Sequence, residues 1–293
     1  MGNNINLIKK RLVTTKSTQK ITSAMYLVSL AKLQKYQKRI SVLKTYEDLA
    51  FEHIGMALAA AQKNAFLDIK YIRPVEDIKK VAYIAFSSNF GLCGGYNINM
   101  LSTLRNYIGE RPNESYDIYM IGKTGEEKAE YFGLTIKKAL SSGNDVLRYS
   151  ELREAITKPV IDSFNAGDYD AIRVVYTQYI NPLKQEVKVD QLLPLHELPS
   201  LENSDHFSVD MIFEPSPEAV LDYLIPKNIK SYTYICYLES QTSEEASRRM
   251  AMENANTNAD KLIDELNLRF NRERQASITQ EMSEIIGGSE SLG

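Results

Sequence analysis

Two long stretches of this chain, one towards each end, contain neither glycine nor proline. All nine prolines lie between Pro74 and Pro226, and neither residue type occurs from Asn3 to Ile54 or from Lys227 to Ile286. In a helix interior glycine costs about 1 kcal/mol and proline about 3 kcal/mol relative to alanine, so both ends are free to form uninterrupted helices. Apolar periodicity favours that outcome. Near the N-terminus Ile5, Ile8 and Leu12, then Ile21, Ala24, Met25, Val28 and Ala31, then Ile40, Leu43, Ala50, Ile54, Leu58 and Ala61 recur mostly in helical steps. Thr15 and Thr18 interrupt the stripe. Towards the C-terminus Ala255, Ala259, Leu262, Leu266, Phe270, Ile278, Met282 and Ile285 follow coiled-coil spacing. Thr242-Ser243-Glu244-Glu245 reads as a capping box opening this helix, with Thr242 at the N-cap and Glu245 at N3, and Gly287-Gly288 reads as its stop. Glu244–Arg248, Glu245–Arg249 and Glu265–Arg269 are (i, i+4) pairs, each contributing about 0.2–0.5 kcal/mol. A helix of roughly 44 residues extends about 65 Å, beyond any domain this chain can build, so part of a helical pair must project. A projecting coiled coil is a spacer, a lever or a shaft.

Between these ends the pattern changes. Val81–Phe86 is a short apolar run followed by Gly91-Leu92-Cys93-Gly94-Gly95 and a helical stretch from Asn97 to Tyr107. Tyr116–Ile121, Ala171–Ile180 and 186–193 read as further strands, with helices near 126–132 and 152–164. The alternation predicts a central open α/β lobe of Rossmann-like type beside an antiparallel coiled coil of the terminal helices. The expected division is 1–70 for the first helix, 76–226 for the lobe and 227–288 for the second helix.

Catalytic chemistry finds no foothold. Gly122-Lys123-Thr124 follows a strand as a phosphate loop does, but Asp117 stands where that motif needs a glycine. The Gly91–Gly95 loop has the wrong spacing for a dinucleotide fingerprint, and a tight turn burying Cys93 is the plainer reading. No Ser/His/Asp set or facing carboxylate pair stands out. His53, His196 and His206 do not cluster with Cys93 and Cys236, which excludes a metal site of usual spacing and suggests two buried free thiols. No stretch approaches about 18 apolar residues, so no transmembrane helix is expected.

Charge supplies a second asymmetry. Lys9, Lys10, Arg11, Lys16, Lys20, Lys32, Lys35, Lys38, Arg39 and Lys44 precede the first acidic residue, Glu47, although the net charge of the whole chain is −3. A one-sided basic helix suits acidic protein loops or nucleic acid, and it also has a plain solvated reading. No aromatic interleaving supports base stacking. A transit peptide shares this composition, but the helical pattern continues past Ala61 without a cleavage-like break.

Three motifs resemble the gamma subunits of F-type rotary ATPases. They are Thr18-Gln19-Lys20-Ile21-Thr22-Ser23-Ala24-Met25, the Gly91–Asn97 loop, and the run Phe270-Asn271-Arg272-Glu273-Arg274-Gln275-Ala276-Ser277-Ile278-Thr279-Gln280-Glu281 with Glu284–Gly288 behind it. The resemblance spans essentially the whole chain. It implies a non-catalytic shaft inside a ring of three alpha and three beta subunits, with the lobe as part of a foot meeting an epsilon-type subunit and a membrane rotor ring. It implies no cofactor, metal or nucleic acid, and a peripheral place on the cytoplasmic face of the cell membrane. Lys20, Met25, Arg248, Arg274, Gln275, Thr279 and Glu281 match rotor–stator contact positions, and Gly91, Cys93, Gly94 and Gly95 match the foot-lobe loop. Ser88-Asn89-Phe90 departs from the family's usual Ser-Asp-Arg, and Tyr26-Leu27 replaces a more polar pair. These departures keep open a paralogous motor whose foot meets a different partner.

Overall fold

Two long helices, α1 (Gly2–Gln62) and α6 (Pro217–Glu290), enclose in sequence a series of shorter elements. The computed structural model of the chain describes residues 2–62, 71–72, 77–141, 143, 146–195 and 213–290. The shorter elements are β1 (Lys80–Phe86), α2 (Tyr96–Gly109), β2 (Ser115–Ile121), α3 (Lys123–Ala129), β3 (Ile136–Leu140), α4 (Tyr149–Leu152), α5 (Lys158–Ala166), β4 (Ala171–Asn181) and β5 (Lys184–Leu193). The chain divides into two compact units, Met1–Leu30 with Arg248–Gly293, and Ala31–Ser247. The boundary expected between 70 and 76 lies largely outside the described residues, as do His196 and His206.

Within the 31–247 unit the sheet order is β3-β2-β1-β4-β5, with β5 antiparallel and every other pairing parallel. β1 is buried on both faces, as a central parallel strand should be. Ala82, Ile84 and Phe86 join Ile54, Leu58, Val160, Ile229 and Tyr237 in one core. Val81, Tyr83 and Ala85 join Met100, Leu101 and Leu104 of α2 in the other. The expected class, long terminal helices with an open α/β lobe, is therefore the class observed.

Four local expectations change. β3 was not among the predicted strands: Ile136-Lys137-Lys138-Ala139-Leu140 is an edge strand whose two exposed lysines donate to Asp117 and to the Ala155 carbonyl, and their adjacency erases the apolar alternation. The predicted 152–164 helix is a longer run, joined through a π-helical turn at Arg153–Thr157. Thr242 does not cap α6. It lies fully buried inside the helix and its hydroxyl donates to the Leu238 carbonyl at 2.8 Å. The true start is Ser216-Pro217, where Ser216 Oγ accepts the Ala219 N–H at 3.2 Å and proline occupies the first helical position. Gly287 and Gly288 lie within α6, which continues to Glu290. The Glu265–Arg269 pair forms as expected, at 2.6 Å.

Candidate functional site

In the unit formed by 1–30 and 248–293, polar contacts set the register. Gln19 donates to Asp260, Thr22 donates to Asn256, and the Arg249 guanidinium stands 6.0 Å from the Tyr26 ring centre. Numbers rise along α1 as they fall along α6, so the pair is antiparallel. Ile8, Met252, Ala259 and Leu266 are buried here. Continued along the helices, the register sets Gly2, where α1 as described begins, opposite about Ser277. Ile278, Met282, Ile285 and Ile286 are exposed, although they continue the same apolar periodicity. On α1, Leu7, Val13, Ile21, Leu27 and Val28 are also exposed.

The predicted contact residues fall into two bands of this unit. Lys20 is exposed, Met25 half-buried and Arg248 buried, at 7% exposure, near the level where Arg249 meets Tyr26. Arg274, Gln275, Thr279 and Glu281 are all exposed. Arg274 lies about 39 Å further along α6 at the usual helical rise. The Thr279 hydroxyl donates back to the Gln275 carbonyl at 2.9 Å, and Glu281 accepts from Ser277 at 3.2 Å, leaving these side chains presented outward along the helix. Lys9, Lys10, Arg11, Lys16 and Lys20 are exposed cations. In the other unit, by contrast, Lys32 and Lys44 are engaged by Glu245 and Glu239 of α6, at 3.5 Å and 2.7 Å.

In the lobe, the places where such folds hold nucleotides are engaged by the chain's own groups. Open α/β sheets bind ligands where strand order reverses, at the carboxyl ends of the strands. Here that point lies between β1 and β4, and α6 fills it. β1 pairs β4 only as far as Val175, leaving the Thr177 and Tyr179 backbone unpaired on that side. Ser240 Oγ accepts the Thr177 N–H at 3.1 Å, Ser243 Oγ donates to the Thr177 carbonyl at 2.8 Å, and Glu239 Oε2 accepts the Tyr179 N–H at 3.0 Å. Ser247 Oγ also donates to the Cys93 carbonyl at 2.6 Å. Gly94, at φ +59°, lies beneath Ser247, whose Oγ would stand 3.1 Å from an added Cβ. Cys93 is buried beside Asn97, whose amide donates to Ser88 Oγ at 2.7 Å. Gly91 and Gly95 are exposed on the same loop.

The Gly122-Lys123-Thr124 turn is equally occupied. The N–H groups of Lys123, Thr124 and Gly125 go to Asn89 Oδ1, the Ser88 carbonyl and Ser87 Oγ at 3.3, 2.9 and 3.0 Å. Lys123 Nζ lies 3.5 Å from Glu127. No amide is left at that turn to hold a phosphate.

The Glu239–Ser247 grip escaped the sequence reading because its polar residues were taken for a helix start. A usable signal was present: seven polar residues from Glu239 to Glu245 sit on a helix whose neighbours are apolar, and all seven are buried. Such residues persist inside a fold only when hydrogen-bonded. Ser243→Ala is expected to destabilise the lobe by about 1–3 kcal/mol by leaving the Thr177 carbonyl unpaired, measured by urea unfolding.

The ATP synthase family model matches residues 4–292. The ATP synthase gamma chain of Flavobacterium psychrophilum is 36% identical over 289 residues, covering 99% of each chain. The sodium-ion-specific ATP synthase gamma chain of Acetobacterium woodii is 33% identical and covers 100% of both. Among solved structures, a chain of the Euglena gracilis mitochondrial ATP synthase (OSCP/F1/c-ring) superposes with TM-score 0.68 at 18% identity, over 100% of this chain and 95% of that one. A chain of the Tetrahymena thermophila central stalk and c-ring assembly superposes with TM-score 0.60 at 22% identity, over 80% of this chain and 99% of that one.

Proposed function

The chain belongs to the ATP synthase gamma-chain family, the non-catalytic central-stalk rotors of F1, and we propose how its surfaces do that work. The helical unit of 1–30 and 248–293 turns inside a ring of alpha and beta subunits. Its rotation biases each beta subunit between states by offering different contacts at each angle, which is a shift of populations and requires differential contacts. Lys20, Met25 and Arg248 form one contact band and Arg274, Gln275, Thr279 and Glu281 the other. The lobe, including the Gly91–Gly95 loop, belongs to the foot that meets an epsilon-type subunit and the membrane rotor ring, coupling rotation to ion translocation. Among the described residues no helix is long and apolar enough to cross a membrane. The complex is peripheral, at the cytoplasmic face of the cell membrane.

The observation that carries this reading is the exposed apolar stripe of α6 formed by Ile278, Met282, Ile285 and Ile286. A bearing surface supplied by other subunits accounts for both the stripe and its exposure. Deleting Arg274–Gly293 is expected to lower retention on alpha- and beta-type subunits by about tenfold or more. Hydrogen exchange in the 31–247 unit should stay unchanged. Equal loss of assembly and lobe protection counts against the assignment, as does a full-length chain that never assembles with those subunits.

A second reading, a paralogous motor with a partner other than an ion channel at its foot, draws on Asn89-Phe90. Phe90 is half exposed, so this loop offers an aromatic face in place of the family's charged pair. Identifying what co-purifies with the foot separates the two.

A further inference from the structure

Glu47 is the first acidic residue of the chain, and it is buried. Only 7% of it is exposed, and its Oε1 has no hydrogen-bond partner. A second buried carboxylate, Glu239 of α6, lies within its electrostatic reach. Both oxygens of Glu239 are already engaged: Lys44 Nζ stands 2.7 Å from Oε1, and the Tyr179 N–H of β4 donates to Oε2 at 3.0 Å. One lysine therefore serves two buried carboxyl groups, and Glu239 holds it.

Among the described residues, Lys44 is the one cation that acts on the Glu47 carboxyl. From its own helix come Lys44 and the like-charged Asp48, and from α6 come Glu239 and the Cys236 thiol. The sheet enters through the Tyr179 amide and through Asp190 of β5, which acts on the same Cys236. A buried carboxylate without a partner takes up a proton rather than bear its desolvation. Burial first, then Asp48, push the Glu47 carboxyl up to about 7, against the opposing pull of Lys44.

We propose that Glu47 is a proton-operated latch on the joint between α1, α6 and β4. Protonated, it leaves Lys44 to Glu239, which in turn holds the Tyr179 amide. Ionised, it sets a second carboxylate charge near Glu239, with the half-exposed Lys44 ammonium acting on both. The folded carboxyl sits above its ordinary value of 4.5, so the folded chain binds the extra proton. Its stabilising effect is complete below about pH 4.5 and is lost as pH rises through about 7. The latch rests on these contacts and not on the role in rotation.

Infrared spectroscopy, thermal melting and amide exchange of the full-length chain test this between about pH 5 and pH 9. A protonated-carboxyl stretch is expected near pH 6, to vanish above about pH 8, and to be missing from Glu47→Gln at every pH. The melting temperature should fall over that range in the natural chain and follow a flatter course in Glu47→Gln. Protection of the Tyr179 amide should drop about tenfold across it, the factor equal to one pKa unit of differential interaction. A stretch that persists in Glu47→Gln overturns the proposal, as does an unchanged slope of melting against pH. If Glu47→Gln does not fold, the natural chain decides: a titrating stretch with falling Tyr179 protection supports the latch, and constant protection overturns it.

Discussion

Gly122→Val is expected to destabilise the 31–247 unit by about 4 kcal/mol, a large part of an ordinary domain's stability, seen as a clearly lowered melting temperature by circular dichroism. Two costs coincide at this position. The residue has φ +110° and ψ +131°, a region open to glycine and strained for any residue with a Cβ. An added Cβ would also stand 2.3 Å from the Ser87 carbonyl oxygen and 2.4 Å from Ser87 Oγ. The carbonyl cannot swing aside, because Ser87 directly follows β1 and its N–H donates to the Ile121 carbonyl at 2.7 Å. Gly91→Ala is the control: that position has nothing within 4 Å and no positive φ, so its change should stay within about 0.5 kcal/mol. Equal effects at the two glycines would mean that the β1–β2 crossing is not the constraint described.

Tyr237→Ala should be the most damaging single truncation in the core, at about 4–6 kcal/mol by urea unfolding. The residue is 1% exposed on α6, with its ring 5.5 Å from Phe86 of β1 and 6.0 Å from Tyr234. Its hydroxyl accepts the Leu147 N–H at 3.0 Å. Truncation therefore opens a ring-sized cavity and orphans a buried donor at once. Tyr237→Phe separates the two terms, since it keeps the packing and should cost only about 1–2 kcal/mol. If both substitutions cost the same, the hydrogen bond and not the aromatic packing ties α6 to the sheet.

Much of this was readable beforehand because long-range periodicity survives any tertiary context. The breaker-free ends, the Val81–Phe86 run and the Tyr116–Ile121 run each became the element their pattern demanded. The family motifs pointed to the gamma chains that the whole-length relatives then supplied. What was misread shares one cause. Thr242 and Glu245 carry a start signal that is local, whereas helix continuity there is maintained by contacts from β4, from the Cys93 loop and from Lys32, all remote in sequence. Lys137 and Lys138 hid β3 for the complementary reason: an edge strand needs no apolar face towards water.

The sequence alone determined that both ends would be long helices, that one would be basic throughout its first half, and that no catalytic set lay between them. Those properties follow from composition and spacing, which no fold can alter. Only the tertiary structure decided that the crevice at the strand reversal is filled by α6. It alone also showed that Ile278, Met282, Ile285 and Ile286 of α6 are exposed, and that Glu47 is buried while Lys44 pairs with Glu239. Each of these depends on which distant residues meet, and periodicity along a single helix carries no information about the register of a neighbour.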